Sequence, residues 1–362
     1  MNSVYIHIPF CSNICSYCAF TKFYYDQNKV LTYLDSLKKE IELNYKGDII
    51  KTIYIGGGTP SSLNINELKK LFEIIKIFKF SNNLEFTIEV NPDNINREKL
   101  ELFKENKVNR ISIGIESTNL KFLKYLGRNY DYKEIKNKIN LIKKMGFVNI
   151  NVDLIYALPN ETLDDLSKDL DNILKLDVSH ISTYSLMIED NTMLKINNEK
   201  EIDEEIDSEM YDLIKNKLKE NNYNHYEISN FSRDGYESHH NLVYWNNDHY
   251  YGFGLSASGY IDNIRYTNTT SLQQYNKLNF CKEKEMLSFK DTISYELILG
   301  FRKIIGINKK EFYDKYKINI KDLYNIKELL ELGYLKENSS NIFISYDKIY
   351  VSNQILMNFI GE

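Results

Sequence analysis

Three cysteines near the start of the chain are the residues whose type and spacing most directly indicate chemistry. Cys11, Cys15 and Cys18 form a C-x3-C-x2-C pattern, while the fourth cysteine, Cys281, stands alone. Thiolates are soft ligands that suit zinc or iron–sulfur centres. Structural zinc normally closes a tetrahedron with four protein ligands. We therefore predict a [4Fe–4S] cluster held by three cysteines with one iron left open; the alternatives are a zinc clip or a chance cluster. His7 could be a fourth ligand, but we expect it to have a structural role.

A glycine-rich turn is the second feature that indicates a site. It follows the predicted strand Lys51–Ile55 and contains Gly57, Gly58 and Thr59. Glycine has no Cβ, so backbone N–H groups in such a turn can approach a ligand closely. Taken alone, the turn is typical of an ordinary chain reversal, but its position one strand after the clustered cysteines indicates ligand binding.

Four charged residues lie at the ends of later strands or in the loops that follow them. They are Glu89, Glu116, Arg128 and Asp153. Carboxylates can accept hydrogen bonds from an amino group or from hydroxyls, and a guanidinium can pair with a carboxylate. Each residue alone is typical of a surface or helix-capping charge, but together they predict one polar site.

Six motifs together resemble the family of oxygen-independent coproporphyrinogen III oxidases and their relatives, which are radical S-adenosylmethionine (SAM) proteins. The motifs are Tyr5-x-His7-Ile8-Pro9-Phe10-Cys11, Cys15-x-Tyr17-Cys18, Gly57-Gly58-Thr59-Pro60, Glu89-x-Asn91-Pro92, Leu126-Gly127-Arg128 and Asp153-Leu154-Ile155-Tyr156-x-Leu158-Pro159. The resemblance implies that the clustered cysteines bind a [4Fe–4S] cluster and that a SAM site is lined by Tyr5, Gly57, Gly58, Thr59, Glu89, Arg128 and Asp153. Glu116 is assigned to the same site, although the family typically has Gln there, and an acid adds charge and removes donors.

The same resemblance implies a chemistry for these cofactors. The amino and carboxylate groups of SAM would chelate the open iron, and an electron from the cluster would cleave SAM to a deoxyadenosyl radical. The reaction itself belongs to the cofactors, and the protein supplies binding and orientation.

Two departures from the oxidase pattern favour a different branch of this family. The oxidases carry another cysteine two residues after the third, where this chain has Phe20, and a longer N-terminal extension, where only four residues precede Tyr5. The resemblance therefore points to the HemW-type haem chaperones.

That branch carries a His-Asn-x-x-Tyr motif linked to haem binding, and this chain has His240-Asn241 followed by Tyr244. Imidazole and phenolate both ligate haem iron. The spacing alone is weak evidence, because His180 and Tyr184 repeat it. His239 is an alternative ligand one position away.

Strands and helices alternate through the first half of the chain and must position these residues. Predicted strands are Val4–Pro9, Lys51–Ile55, Leu84–Val90, Arg110–Ile115, Phe147–Ile155 and His180–Leu186, and predicted helices are Asn28–Tyr45, Glu67–Phe78, Arg97–Asn106, Tyr132–Met145 and Leu163–Leu174. Sustained alternation predicts an α/β fold with a parallel sheet. Candidate residues at the ends of many strands favour a barrel, and six units predict a partial (β/α)6 TIM-like barrel, which the family resemblance also implies.

The pattern changes after Asp190, so we predict three regions. Residues 1–190 form the barrel, residues 191–285 a mixed α+β extension with the haem motif, and residues 286–362 a small winged-helix-like domain. Within the extension, Tyr223–Tyr266 shows no clear periodicity, and Gly252–Tyr260 is either a tight turn between strands or a ligand contact, with Ser258 where the family has His. We expect Cys281 to be a small apolar filler.

The composition of the chain limits which partners and which cellular compartment are expected. The chain has 362 residues, 43% of them apolar and 27% charged, with a net charge of −5. This balance is typical of a globular protein and argues against an extended nucleic-acid surface. No apolar run approaches the ~18 residues of a spanning helix, and no basic segment precedes an apolar stretch, so we expect neither a transmembrane segment nor a signal peptide. Few, clustered cysteines favour the cytoplasm.

These observations predict a haem chaperone that binds a [4Fe–4S] cluster, SAM and haem. It would deliver haem to apo-proteins of the respiratory chain, including membrane-associated enzymes, and would be a carrier whose status as an enzyme stays open. The alternative is a true coproporphyrinogen III oxidase.

Overall fold

The predicted alternation of strands and helices is present in the computed structural model, which describes residues 2–360. The strands of the first half are β1 (Asn2–Ile8), β2 (Phe10–Cys11), β3 (Phe23–Tyr24), β4 (Ile49–Gly57), β5 (Lys79–Val90), β6 (Arg110–Glu116), β7 (Asn149–Tyr156) and β8 (His180–Ser185). The helices are α1 (Gln27–Asn44), α2 (Ile65–Ile75), α3 (Arg97–Glu105), α4 (Leu120–Tyr125), α5 (Tyr132–Lys144) and α6 (Leu163–Leu174). Each predicted element is present, with ends that differ by a few residues at most sites.

Six of these strands, β1 and β4 to β8, pair in parallel in the order in which they occur along the chain. Each of the first five is followed by at least one helix before the next of these strands begins, as parallel pairing requires. The prediction of a partial (β/α)6 barrel is therefore confirmed.

Side chains alternate between the two faces of the barrel strands, as the pleat requires. In β6, Ile111, Ile113 and Ile115 belong to the main apolar core, whereas Ser112 and Glu116 line a pocket. The outer face therefore packs against the helices, and the inner face is available for polar chemistry.

Three of the barrel helices begin with a reciprocal capping box. Asn64 and Glu67 exchange hydrogen bonds at the start of α2, and Thr162 and Asp165 do so at the start of α6. A capping box satisfies two N–H groups that otherwise lack partners. Asp131 starts α5 in the same way. Local sequence thus fixes where these helices begin.

The sheet continues beyond the barrel at both edges. The second region contains α7 (Met193–Ile196), α8 (Glu204–Glu220), β9 (Asn224–Glu227), β10 (Asn230–Ser232), α9 (His239–Trp245), β11 (Tyr250–Phe253), β12 (Ser258–Ile261), β13 (Ile264–Asn268), α10 (Leu272–Asn276) and β14 (Cys281–Met286). The complete order is β14-β13-β12-β11-β1-β4-β5-β6-β7-β8-β10-β9. β11 is parallel to β1, and β10 is antiparallel to β8.

The segment Tyr223–Tyr266, which showed no clear periodicity, therefore contains four strands, a helix and the first part of a fifth strand. These strands have three to five residues, which is too short for an alternating pattern to stand out. The proposed boundary at residue 190 stays a prediction, since strands from both sides of it pair in one sheet.

The last region is a small helix and strand unit. It contains α11 (Phe289–Gly300), β15 (Ile307–Asn308), α12 (Lys309–Tyr316), α13 (Tyr324–Glu331), β16 (Leu335–Glu337), β17 (Asn341–Ile344) and α14 (Ser352–Leu356). Its three strands pair antiparallel in the order β15-β17-β16. Helix, strand, two helices and a hairpin make a winged-helix-like arrangement, so that prediction is confirmed. Among residues 2–360, no helix has both the length and the apolar character needed to span a membrane.

Glu40 of α1 ties the barrel to the added strands. Its carboxylate accepts hydrogen bonds from Gly254 N at 2.8 Å, from Asn268 Nδ2 and from the Tyr275 hydroxyl. Glu40 is buried, and burial raises its pKa to about 7. One side chain therefore satisfies donors from α10, from β13 and from the turn after β11.

We predict that Glu40→Ala lowers the free energy of unfolding by about 3 kcal/mol, because three buried donors lose their acceptor. Urea-induced unfolding measures the change. Glu42→Ala on the same helix is the matched control; Glu42 forms only surface ion pairs, so its loss should cost less than about 0.5 kcal/mol. Equal costs for the two variants would contradict this role of Glu40.

Candidate functional site

A pocket of ≈ 390 Å³ opens at the carboxyl ends of the parallel strands. Ten of the predicted site residues line it: Cys11, Cys15, Cys18, Gly57, Gly58, Thr59, Glu89, Glu116, Arg128 and Asp153. Three other predicted residues, Tyr5, His240 and Tyr244, are not part of its lining. The pocket lies where the ends of parallel barrel strands ordinarily carry functional residues.

The loop that carries the cysteines is anchored at both ends. Tyr25 N donates to Cys11 O at 2.9 Å. In the middle of the loop, Asn13 Nδ2 donates to Gly127 O at 2.7 Å, and Ser16 Oγ donates to Tyr125 O at 3.0 Å. The loop is therefore held against the segment that supplies Arg128. Among the described residues, no three His, Cys, Asp or Glu side chains are grouped as the ligands of a single metal ion would be.

The glycines of the turn allow close approach between the strand ends and the cysteine loop. A Cβ on Gly58 would lie 2.9 Å from Cys11 Sγ, and a Cβ on Gly57 would lie 2.7 Å from the His7 ring. Gly57 also has a φ of +117°, which side-chain-bearing residues rarely adopt. Only glycine fits at these positions.

Two half-buried carboxyl groups form the floor of the pocket. Glu89 accepts hydrogen bonds from the Tyr54 hydroxyl at 2.7 Å and from Gly57 N at 3.1 Å. Asp153 accepts from Asn151 Nδ2 at 2.9 Å. Burial raises the pKa of each carboxyl to about 7, with a further increase from Glu116. These groups suit a cationic ligand, which would stabilise their ionised forms.

Arg128 and Glu116 form a buried ion pair in the wall of the pocket. Arg128 Nη2 lies 2.5 Å from Glu116 Oε1, and both side chains are less than 10% exposed. The same Nη2 donates to the Tyr17 hydroxyl at 3.0 Å. Glu116 has a φ of +63° beside a register shift between β6 and β7, and this geometry turns its carboxylate towards the arginine. An amide at this position would leave the guanidinium without its counter-charge.

The residues present therefore fit a [4Fe–4S] cluster with a bound amino acid group. Three cysteines line one cavity and the glycine turn admits backbone contact. Two half-buried carboxyls can accept from an amino group, and one guanidinium can pair with a carboxylate. The fit rests on the donors present and on the space left by missing Cβ atoms.

Tyr5 and His7 form a chain of hydrogen bonds that ends on the backbone of the cysteine loop. The Tyr5 hydroxyl bonds His7 Nδ1 at 3.0 Å, and His7 Nε2 bonds Thr21 O at 3.0 Å. Both ring nitrogens of His7 are thus occupied, and burial lowers its pKa to about 4. Tyr5 therefore does not line the pocket. His7 has no ring nitrogen free to bind a metal.

His240 lies towards the other end of the barrel. Its Nδ1 bonds Thr52 Oγ1 at 2.7 Å and its Nε2 bonds the Tyr244 hydroxyl at 2.8 Å. The backbone N of His240 donates to Glu85 at 2.8 Å. The ring is buried, whereas His239 is exposed. His240 therefore has both ring nitrogens engaged in this conformation.

The two His-x3-Tyr pairs differ in geometry. His240 and Tyr244 share one face of α9 and are in contact, as residues four apart on a helix are. His180 and Tyr184 lie on β8, where four residues span about 13 Å. The helical conformation of α9, and not the His-x3-Tyr spacing itself, therefore brings His240 and Tyr244 into contact.

Three remaining sequence predictions have clear outcomes. Phe20 lines the pocket and is 69% exposed. Ser258 starts β12 and bonds Thr267, so Gly252–Tyr260 is two strands joined by a turn. The expectation for Cys281 was wrong: it is exposed on β14 at the edge of the sheet, because within residues 2–360 this strand pairs with β13 alone.

Comparison with known proteins agrees with this geometry. The sequence profile of the Radical SAM superfamily matches residues 5–173. The chain is 40% identical over 281 residues to a protein of Lactococcus lactis named heme chaperone HemW, covering 76% of this chain and 74% of that protein. It is also 40% identical over 285 residues to the Bacillus subtilis protein of the same name, covering 76% and 75%. The chain belongs to the HemW family.

The fold of this HemW family member has a solved relative. The Escherichia coli coproporphyrinogen III oxidase HemN, described as a radical SAM enzyme, aligns with a TM-score of 0.87 over 99% of this chain and 90% of that one, at 22% identity. This likeness establishes the shared fold, including the added strands and the C-terminal unit.

Among the pocket residues of the HemW family member that sequence reasoning missed, two tyrosines bond the predicted charged residues. Tyr17 bonds Arg128, and Tyr54 bonds Glu89. Tyr17 belongs to the motif Cys15-x-Tyr17-Cys18, and its position between two of the predicted cluster ligands could have identified it as a pocket residue. Tyr54 lies on β4 two positions before the glycine turn begins, so its inward direction follows from strand alternation.

We predict that Arg128→Gln lowers the free energy of unfolding by about 3 kcal/mol, because it leaves Glu116 buried without a counter-charge. The double variant Arg128→Gln/Glu116→Gln should recover most of this loss, and urea unfolding measures both. Arg97→Gln, which removes an exposed ion pair with Glu101, is the control and should cost less than about 0.5 kcal/mol. Strictly additive losses at positions 116 and 128 would show that the pair is not coupled.

Proposed function

We propose that this chain is a haem chaperone that binds a [4Fe–4S] cluster, SAM and haem, and delivers haem to respiratory apo-proteins in the cytoplasm or at the membrane. The observation that carries the proposal is the similarity to two proteins named heme chaperone HemW over three quarters of the chain. The presence of Phe20 in the pocket, where oxidases of the wider family carry a cysteine, supports the same choice.

The pocket residues divide between the two cofactors. Cys11, Cys15 and Cys18 would hold three irons of the cluster. Gly57, Gly58 and Thr59 would face the methionine part of SAM, Glu89 and Asp153 would accept hydrogen bonds from its amino and hydroxyl groups, and Arg128 would meet its carboxylate. When bound, the cluster and SAM supply one-electron chemistry.

Glu116 modifies this assignment. Glu116 already accepts a hydrogen bond from Arg128 Nη2, and the guanidinium of Arg128 is the group from which a SAM carboxylate would accept hydrogen bonds. A ligand carboxylate must therefore share the guanidinium with Glu116, and Arg128 Nε, which has no hydrogen-bond partner among the described residues, is the free position.

Haem would use the motif on α9. His240 and Tyr244 supply an imidazole and a phenol, both known axial ligands, although His240 must leave Thr52 or Tyr244 before it can bind iron. His239 is exposed and is the competing ligand. No nucleic-acid partner is proposed for a chain of net charge −5.

We predict that SAM binds several-fold more tightly at pH 7.5 than at pH 6, because Glu89 and Asp153, whose pKa values are about 7, ionise in this range and then accept stronger, charge-assisted hydrogen bonds from the amino and hydroxyl groups of the ligand. Calorimetry on anaerobically reconstituted protein measures the profile.

Glu89→Gln should bind SAM more weakly at pH 7.5 and lose part of this pH dependence. Glu73→Gln, which changes an exposed carboxylate on α2, should behave like the wild type. A flat profile in the wild type would remove both carboxyls from the SAM site.

We predict that haem binds the wild type and that the His240→Ala/Tyr244→Phe variant binds at least tenfold more weakly or with a shifted Soret band. Spectroscopic haem titration measures both. His239→Ala is the matched control and should bind as the wild type does; the reverse pattern would identify His239 as the ligand, and identical titrations would exclude all three residues.

The oxidase alternative makes a different prediction. Turnover of coproporphyrinogen III by the anaerobically reconstituted protein would reject a pure carrier, and transfer of haem from the loaded protein to an apo-cytochrome would support one. A colourless protein with one zinc would reject both.

A further inference from the structure

One tyrosine lies between the pocket and the haem motif. Tyr54 donates its hydroxyl to Glu89 Oε1 at 2.7 Å, and Glu89 lines the pocket. The ring of the same Tyr54 lies 5.2 Å from the ring of His240, at an interplanar angle of 31°. The two candidate sites are therefore joined through a single side chain.

The contacts around His240 show why the position of Tyr54 matters. His240 is held by Thr52 on one side, by Tyr244 on the other and by Tyr54 across its face. A ring held in this way has no nitrogen free for iron. Release of any one contact loosens the ring, and Tyr54 is the only one of the three that also contacts a pocket carboxylate.

The Glu89 carboxylate can bind a further donor. Its two oxygens accept from the Tyr54 hydroxyl and from Gly57 N, and an ionised carboxylate offers about four lone-pair positions. A ligand amino group that donates to Glu89 would form a charge-assisted hydrogen bond. The carboxylate would shift towards this donor, which would weaken the hydrogen bond that it accepts from Tyr54.

We propose that Tyr54 couples the two sites, so that SAM in the pocket draws Glu89 away from Tyr54, loosens His240 and raises the affinity for haem. This inference rests on the proposed function, since it requires that both ligands bind. Linkage makes the effect reciprocal, so haem must raise the affinity for SAM by the same factor. Tyr54 acts here as a positioning residue that touches neither haem iron nor the cluster cysteines.

The test measures haem affinity with and without saturating SAM on anaerobically reconstituted protein. We expect haem to bind at least about fivefold more tightly with SAM in the wild type, at the lower end of common coupling factors. Tyr54→Phe keeps the ring and removes the hydroxyl, so the ratio should fall to about one. A role in folding alone would change both affinities without changing their ratio.

Tyr130→Phe is the matched control. It removes a buried hydroxyl that bonds Gly114 O at 3.0 Å in the pocket wall, and the second hydrogen bond of this hydroxyl goes to Ile115 O on the same strand, β6. The ratio in this variant should equal that of the wild type.

A second measurement needs no haem. Hydrogen exchange of the peptide covering residues 237–246 should accelerate when SAM is added to the wild type, since α9 loses part of its packing, and should not respond in Tyr54→Phe. An unchanged haem affinity on SAM addition, or full coupling in Tyr54→Phe, would overturn the inference and leave the proposed function standing. Failure of haem or SAM to bind at all would remove the proposed function and the inference with it.

Discussion

Burial of polar side chains inside the barrel is the constraint on which the rest of the structure depends. Asn151 on β7 accepts from His180 on β8 at 2.6 Å and donates to Ser112 on β6 at 2.8 Å and to Asp153 at 2.9 Å. A buried polar group is costly unless it is hydrogen-bonded. The same bonds that satisfy Asn151 therefore fix three strands relative to one another and hold the Asp153 carboxyl at the floor of the pocket.

The sequence was most informative where a local rule determines the outcome. The predicted bounds of Leu163–Leu174 agree with the observed ones, and the structure gives a local reason: Thr162 and Asp165 form a capping box that fixes where the helix begins. The pocket was predictable for a related reason: residues at the carboxyl ends of parallel strands meet at one edge whatever the sequence between them. Most of the proposed site residues consequently lie together.

What the sequence could not show depends on contacts between distant segments. Tyr5 belongs to a recognisable motif, yet its hydroxyl is used by His7 rather than by the pocket. Glu116 pairs with Arg128 because its backbone is left-handed and lies next to a register shift between β6 and β7. The periodicity of apolar residues in a sequence does not show such a shift. Pairing partners likewise decide that Cys281 is exposed, because burial in a sheet depends on which strands flank it.

The edge strand β14 has a consequence for the protein in solution. All six of its residues, Cys281–Met286, are exposed, and it runs Lys282-Glu283-Lys284-Glu285 between its ends. Suppose that two copies joined their β14 edges as an antiparallel pair, related by a two-fold axis perpendicular to the sheet. Odd-numbered residues would then lie opposite odd-numbered residues, and even-numbered opposite even-numbered, because alternate residues of a strand share a face. Glu283 would then oppose Glu285 across the new seam, and like charges directly opposite are unfavourable. The alternating charges thus protect a long open sheet against edge-to-edge aggregation.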